Sequence, residues 1–248
     1  MSRKIDLPGQ KNKGLFITGT DTGVGKTLIT AGVAVSLRKS GMDIGVMKPI
    51  ETGFGLRRSD CNFLRKVTGI KDPLESISPY RYKFPLSPFG AAQMEKFPVR
   101  LEQVQRAFDE LLRRHEGLLV EGAGGLLVPI TRKSTMADLA IRLEIPLLIV
   151  ARTSLGTLNH TLLTVEVARA RHIPVAGVIF NQIAKSRGLA ERTNPSVMKR
   201  FLSVPILGEI PYAPFLSKGE SRAEQVGEWV EKHIDMGRIR SLFLKVTP

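Results

Sequence analysis

Gly19-Thr20-Asp21-Thr22-Gly23-Val24-Gly25-Lys26-Thr27 is the stretch that decides the fold. It follows an apolar, β-like run, Leu15-Phe16-Ile17-Thr18, and opens a segment compatible with a helix. A strand, a glycine-rich turn ending in Gly-Lys-Thr and then a helix is the context that a phosphate-binding loop requires. Glycines let successive backbone N–H groups curl around phosphate oxygens, and the helix N-terminus adds partial positive charge. Gly23, Val24, Gly25, Lys26, Thr27 and Leu28 are therefore the candidate ATP contacts. Lys26 can reach the β- and γ-phosphates as a point charge, and the Thr27 hydroxyl is the natural Mg²⁺ ligand. In the usual spacing the first glycine would fall at Thr20. Here Gly19 stands one residue earlier, so the loop is a lengthened variant.

On either side of this loop, short apolar runs alternate with helical patterns, the mark of repeated βα units and a parallel sheet. The pattern predicts strands at Leu15–Thr18, Ile44–Lys48, Leu118–Glu121, Leu147–Ala151, Val175–Asn181 and Ile206–Ile210. Most are apolar on both faces, as expected when helices cover both sides of the sheet. Helices are expected at Lys26–Ser40, Asp60–Thr68, Leu101–Arg114, Met136–Leu143, Thr157–Arg171, Pro195–Leu202 and Ala223–Ile234. Pro73 to Pro98 reads as a long irregular loop. The expected architecture is α/β: a single P-loop NTPase domain over 14–248, mostly parallel sheet with helices on both faces, after a flexible basic tail over 1–13.

Composition narrows the class. The 248 residues are 42% hydrophobic, enough for a substantial core. The single cysteine, Cys61, rules out an internal disulfide and fits a reducing compartment. Met1 to Gly14 is polar and basic, unlike a secretory signal, and apolar runs such as Leu147–Ala151 are far too short to span a bilayer. A cytoplasmic protein with no membrane segment is expected. The formal charge of +14 invites an anionic partner. The basic residues are dispersed, however, and aromatics are only 6%, so stacking platforms for nucleic acid are scarce. Phosphate-bearing small ligands remain the better reading.

Two carboxylates can complete a metal site. Glu121 ends the strand Leu118-Leu119-Val120 and precedes Gly122-Ala123-Gly124-Gly125. A carboxylate at the C-terminal edge of a parallel strand points into the crevice where ligands bind in open α/β sheets. It can ligate Mg²⁺ directly or through water, and the glycines after it allow close approach of phosphate. Asp60, in Arg58-Ser59-Asp60, reads from the residues alone as the helix-dipole partner behind a Ser59 cap. Lys48, after Ile44-Gly45-Val46-Met47 and before Pro49, sits at another strand edge; read alone it is one lysine among many.

Taken together, these blocks resemble the dethiobiotin synthetase family. The resemblance is carried by Gly19-Thr20-Asp21-Thr22-x-Val24-Gly25-Lys26-Thr27, Met47-Lys48-Pro49-Ile50-x-Thr52-Gly53 and Gly55-Leu56-Arg57-x-Ser59-Asp60. Further matches are Pro79-Tyr80, Ser87-Pro88, Val120 to Gly125, Leu155-Gly156-x-x-Asn159-His160 and Gly208-Glu209-Ile210-Pro211. They run from about residue 15 to 213 in the family's order. The resemblance implies a Mg²⁺-requiring reaction in which 7,8-diaminononanoate, CO₂ (or bicarbonate) and ATP give dethiobiotin, ADP and phosphate. One amine takes up CO₂ as a carbamate, the carbamate attacks the γ-phosphate, and the other amine closes the ring on the mixed anhydride. It also implies roles. Lys48 and Lys26 are catalytic, Thr27, Asp60 and Glu121 hold the metal, and Gly122, Ala123 and Gly124 contact the nucleotide. Thr22 lies near the carbamate and Thr52 contacts the substrate. Asn181 reads adenine, with Pro211, Tyr212 and Ala213 beside the base. Leu155, Gly156 and Asn159 bind the substrate carboxylate across a homodimer interface.

The chain departs from the family pattern where Gly23 replaces a frequent glutamate and where Gln182, not aspartate, follows Asn181. The competing reading is a nucleotide-dependent switch related to partitioning and division-site ATPases. Those carry an extra lysine where this chain has Asp21, which argues against it. A basic C-terminal helix around Arg238-Ile239-Arg240 and Leu242-Phe243-Leu244-Lys245 is its remaining hint of a membrane contact.

Overall fold

Alternation along the strands sorts the core into two halves. In β1 (Gly14–Gly19), Leu15 and Ile17 belong to one hydrophobic cluster and Phe16 to the other. The same period-two split recurs along the other central strands, as strand geometry requires. The computed structural model describes residues 13–55, 59–185, 188–215 and 223–244. After β1 come α1 (Lys26–Lys39), β2 (Ile44–Met47), β3 (Ile50–Thr52), α2 (Asp60–Thr68), α3 (Leu74–Ile77), β4 (Tyr80–Tyr82), α4 (Pro88–Met94) and α5 (Leu101–Arg114). Then follow β5 (Gly117–Gly125), α6 (Met136–Leu143), β6 (Leu147–Arg152), α7 (Thr157–Ala170), β7 (Val175–Asn181), α8 (Leu189–Met198), β8 (Ile206–Ile210), α9 (Ala223–His233) and α10 (Met236–Leu244).

Six strands form one sheet in the order β2-β5-β1-β6-β7-β8, with every neighbouring pair parallel. Helices α1, α2, α9 and α10 bury their apolar sides against one face, and α5, α6, α7 and α8 against the other. The expected α/β architecture with helices on both faces is what the chain adopts. Because β1 lies between β5 and β6, the loop leaving it opens where strand order reverses. In open α/β sheets that is the crevice for ligands.

Several expectations need correction. The stretch from Pro73 to Pro98 is not an irregular loop: it holds α3, β4 and α4, and β4 pairs in parallel with β3 in a small second sheet. Tyr80 and Tyr82 are fully buried and pack around Phe97, which anchors the segment. Ser87 accepts from Gly90 N with Pro88 in the first turn, a regular helix start. The helix expected at Pro195 begins instead at Leu189 and contains the proline. The buried amide of Asn194 donates to Thr153 and Ser154 carbonyls and holds the turn before Pro195 in place. A further helix, α10, follows α9. Its Ile239, Leu242 and Phe243 are buried in the core, so this apolar stripe packs on the domain rather than facing a membrane. No helix among the described residues is long and apolar enough to cross a bilayer. The tail expected over 1–13 lies, apart from Lys13, outside the described residues, as do Leu56 to Arg58 and Lys245.

Candidate active site

The chain leaves β1, turns through Gly23 (φ 74°) and Gly25 (φ 94°) and enters α1. Gly25 is required twice over. Its backbone is left-handed, and a β-carbon there would stand 2.1 Å from Asn181 Nδ2. The first turn of α1 has no side-chain cap and no acidic residue, which leaves N–H groups and the positive helix end turned to the loop. Asn181, at the end of β7, donates from Nδ2 to the Val24 carbonyl at 2.9 Å, so it braces the loop. Asp21 accepts from Thr22 N at 2.7 Å and pairs with Arg152 at 3.5 Å.

Strand register brings the charged groups together. Met47 of β2 lies opposite Val120 of β5, so the next residues, Lys48 and Glu121, fall side by side. Lys48 Nζ donates to Glu121 Oε1 at 2.6 Å and pairs with Asp60 Oδ2 at 2.8 Å. The Thr27 hydroxyl lies 3.0 Å from Asp60 Oδ1 and 2.9 Å from Glu121 Oε1. Glu121 is fully buried and Lys48 nearly so, while Asp60 sits at the rim with its side chain 40% exposed.

Electrostatics follow from that packing. Burial alone would lower the Lys48 ammonium, but Glu121 and Asp60 on either side raise it well above the usual lysine range. The proton stays on Nζ because two carboxylates share it. Among the described residues Lys26 donates only to the Asp21 carbonyl, at 3.2 Å, and burial, with Lys48 nearby, brings it down to about 8. Burial works against ionised Asp60, yet Lys48 and the Thr27 hydroxyl hold its carboxyl below the ordinary range. Burial pushes the Glu121 carboxyl up, with Lys48 pulling the other way.

The cluster fits a divalent cation. Thr27 has one hydroxyl proton for two carboxylate oxygens at hydrogen-bond distance, so one of those contacts lacks a donor. Glu121 Oε2 is buried and has no hydrogen-bond partner among the described residues. Hard oxygen donors in this number suit Mg²⁺, which takes one or two carboxylates and completes its shell with phosphate and water. Among the described residues no group of three or more acids, histidines or cysteines stands ready to cage a metal alone.

A cavity of about 590 Å³ gathers most of the expected residues: Thr22, Gly23, Gly25, Lys26, Thr27, Lys48, Thr52, Asp60, Glu121, Ala123 and Gly124 all line it. Gly122 contributes its carbonyl, 3.4 Å from Lys48 Nζ. The side chains of Val24 and Leu28 pack in the core, leaving their backbone for any phosphate contact. Pro211, Tyr212 and Ala213 continue β8 beside Asn181, since Asn181 pairs with Ile210, but they do not line this cavity. Leu155, Gly156 and Asn159 are also apart from it, at the start of α7, with Leu155 84% exposed. Sequence reasoning gave three features no role in the site, although Ser87-Pro88 and His160 stand in the matched blocks. Pro85 to Pro88 form one wall of the cavity. His160 lines a second cavity of about 420 Å³ with Asp21 and Thr22. Glu51, buried in β3, accepts from Asp60 N at 2.8 Å and Cys61 N at 3.0 Å.

A phosphate loop on the strand where sheet order reverses, facing a lysine and a carboxylate from adjacent strand ends and a second carboxylate from the first turn of α2, defines a P-loop nucleotide-dependent enzyme. A family model described as AAA domain matches residues 13–220. "ATP-dependent dethiobiotin synthetase BioD" of Bacillus velezensis is 39% identical over 232 residues, covering 93% of this chain and 97% of the relative. The protein of the same name from Thermodesulfovibrio yellowstonii is 40% identical, covering 92% and 99%. The chain belongs to the dethiobiotin synthetase family. Among solved structures it resembles the MinC:MinD cell division complex of Aquifex aeolicus (TM-score 0.54, 18% identity, 95% of this chain and 98% of that one). It also resembles a ParA family ATPase from Chlorobium tepidum (TM-score 0.53, 14% identity, 89% and 98%). At that identity the likeness concerns the fold alone.

Proposed function

We propose that this chain is an ATP-dependent dethiobiotin synthetase that carboxylates 7,8-diaminononanoate and closes its ureido ring, releasing ADP and phosphate. The observation that carries the reading is the meeting of the loop residues Lys26 and Thr27 with Lys48, Asp60 and Glu121 in one cavity. Family membership supplies the substrate.

Phosphoryl transfer to a carbamate needs charge neutralisation and positioning more than a protein nucleophile. The free N–H groups of α1 and Lys26 bind the phosphate chain. Lys48, held as an ammonium, offsets negative charge where carbamate and γ-phosphate approach, and it is not a base. Bound Mg²⁺ would be held by Thr27, Asp60 and Glu121 and would supply Lewis-acid neutralisation of phosphate oxygens. Thr22 and Thr52 line the same cavity, where their hydroxyls can orient the diamine and its carbamate. Asn181 has committed its amide N–H to Val24, and its carbonyl is the acceptor suited to adenine's exocyclic amine. Leu155, Gly156 and Asn159 do not line the cavity of their own chain, which agrees with a homodimer in which they serve the partner's substrate. We assign the enzyme to the cytoplasm, in keeping with its single buried cysteine. The switch-ATPase alternative is not favoured. Asp21 replaces its signature lysine, and the side of α10 that carries Ile239, Leu242 and Phe243 is buried.

The test is phosphate release by purified protein with Mg²⁺, ATP and bicarbonate, with and without 7,8-diaminononanoate, following dethiobiotin by mass. Phosphate that appears only with the diamine and equals the dethiobiotin formed supports the reading. Phosphate release indifferent to the diamine, but stimulated by DNA or lipid, would overturn it.

A further inference from the structure

We infer that Glu51 is a positioning residue for the metal site: its buried carboxylate clamps the first turn of α2 and so sets where the Asp60 carboxylate stands. The inference rests on the proposed role of Asp60 as a Mg²⁺ ligand. Glu51 is only 3% exposed, and both of its oxygens are used, Oε1 by Asp60 N at 2.8 Å and Oε2 by Cys61 N at 3.0 Å. A buried carboxylate is costly unless it is fully hydrogen-bonded, and here backbone donors at a positive helix end satisfy it. Two bonds from one rigid group to consecutive N–H groups fix the direction of the helix start as well as its position. Ser59 already caps the next free N–H, at Asn62, so Glu51 is not needed merely to begin the helix.

What Glu51 adds is a link between the two halves of the site. It lies on β3, which is anchored by its pairing with β4 and by the bond from Lys48 N to Ile77 O. Its neighbour Thr52 lines the cavity while Glu51 turns to α2, as alternation along a strand requires. One short segment, Lys48 to Thr52, therefore supplies the ammonium, a cavity hydroxyl and the clamp on Asp60. The Asp60 side chain is 40% exposed at the cavity rim, where it is bonded to Lys48 and Thr27.

The test is calorimetric titration with ADP, in chelator and then in Mg²⁺, for the wild type, Glu51→Gln and Ser59→Ala, with a thermal melt of each. Gln keeps one acceptor oxygen, which favours folding, but sets an N–H₂ against the second backbone donor. In the wild type, Mg²⁺ should tighten ADP. In Glu51→Gln that metal-dependent gain should fall about 10- to 100-fold, with metal-free ADP affinity within about twofold of wild type. Ser59→Ala, which loses a cap on the same helix, should lower Tm yet keep the gain. The inference is overturned if Glu51→Gln keeps the gain, or if Ser59→Ala loses as much of it. A wild type whose ADP affinity ignores Mg²⁺ would instead strike down the metal-site reading beneath it.

Discussion

Replacing Lys48 by Met removes the one ammonium lying between two carboxylates, and the structure specifies the result. Glu121 is fully buried and 2.6 Å from Nζ, while Asp60 is 2.8 Å away and 40% exposed. Removing one partner of a buried pair typically costs about 3–5 kcal/mol, because the other charge is left uncompensated. For a chain of this size 1 kcal/mol shifts Tm by about 2–4 °C, so the fall at pH 8 should be roughly 6–20 °C. Lowering the pH should relieve it. Burial already pushes the Glu121 carboxyl up, and removing Lys48 takes away the strongest opposing charge and leaves the weaker pull of Lys26. A group whose folded pKa lies above its unfolded one stabilises fully below the unfolded value, and that stability is lost as pH rises through the folded value. The Tm gap between variant and wild type should therefore narrow from pH 8 towards pH 5. Glu121→Gln in the Lys48→Met background should recover most of the loss at pH 8. Melts of metal-free protein across pH 5–8 measure all of this. A gap under about 1 °C at pH 8, or one that widens on acidification, would refute this account of the buried Lys48–Glu121 pair.

Three other outcomes are expected. Gly25→Ala forces a β-carbon into a left-handed position 2.1 Å from Asn181 Nδ2, so ATP affinity should fall at least about tenfold by calorimetry while the far-UV spectrum is kept. For Asp72, burial is outweighed by His115 Nε2 at 2.8 Å and Arg114 at 3.2 Å, which hold the carboxyl below its ordinary range. Its stabilisation is present above the unfolded carboxylate pKa of about 4 and lost as pH falls through the folded value. Asp72→Asn should therefore melt lower than wild type near pH 7, by about 1–3 kcal/mol, with the difference closing in acid below about pH 4. Phe243→Ala should destabilise by about 3–5 kcal/mol in denaturant titrations, since the ring packs against Gly117 inside the core, and anionic vesicles should not bind the wild-type protein.

Much of this was legible in the sequence because the strands are long enough to show their pattern. β7 and β8 begin and end where the apolar runs do, and α2, α5 and α6 start where Ser59, Arg100 and Thr135 precede an apolar period. Placing Lys48 and Glu121 at strand ends was enough to bring them near the loop, and the parallel register makes them neighbours. Asp60 was ambiguous for a physical reason: an acid in a helix's first turn is useful to the dipole whether or not it meets a metal. The segment from Pro73 to Pro98 escaped because a three-residue strand and helices of four and seven residues are too short for periodicity to register. Glu51 left no local signal, since its donors lie nine and ten residues ahead and only the fold joins them. The stripe on α10 reads alike for a membrane or a core, and only packing decides between them.

The most direct test of the central claim follows oxygen. With freshly added ¹⁸O-labelled CO₂, ATP, Mg²⁺ and 7,8-diaminononanoate, attack of the carbamate on the γ-phosphate forms the new P–O bond through a carbon-derived oxygen. Ring closure then expels that oxygen with phosphate. The account predicts one ¹⁸O in each phosphate released, in step with dethiobiotin formed. Unlabelled phosphate, or phosphate released at the same rate without the diamine, would mean that water is the nucleophile and would contradict it.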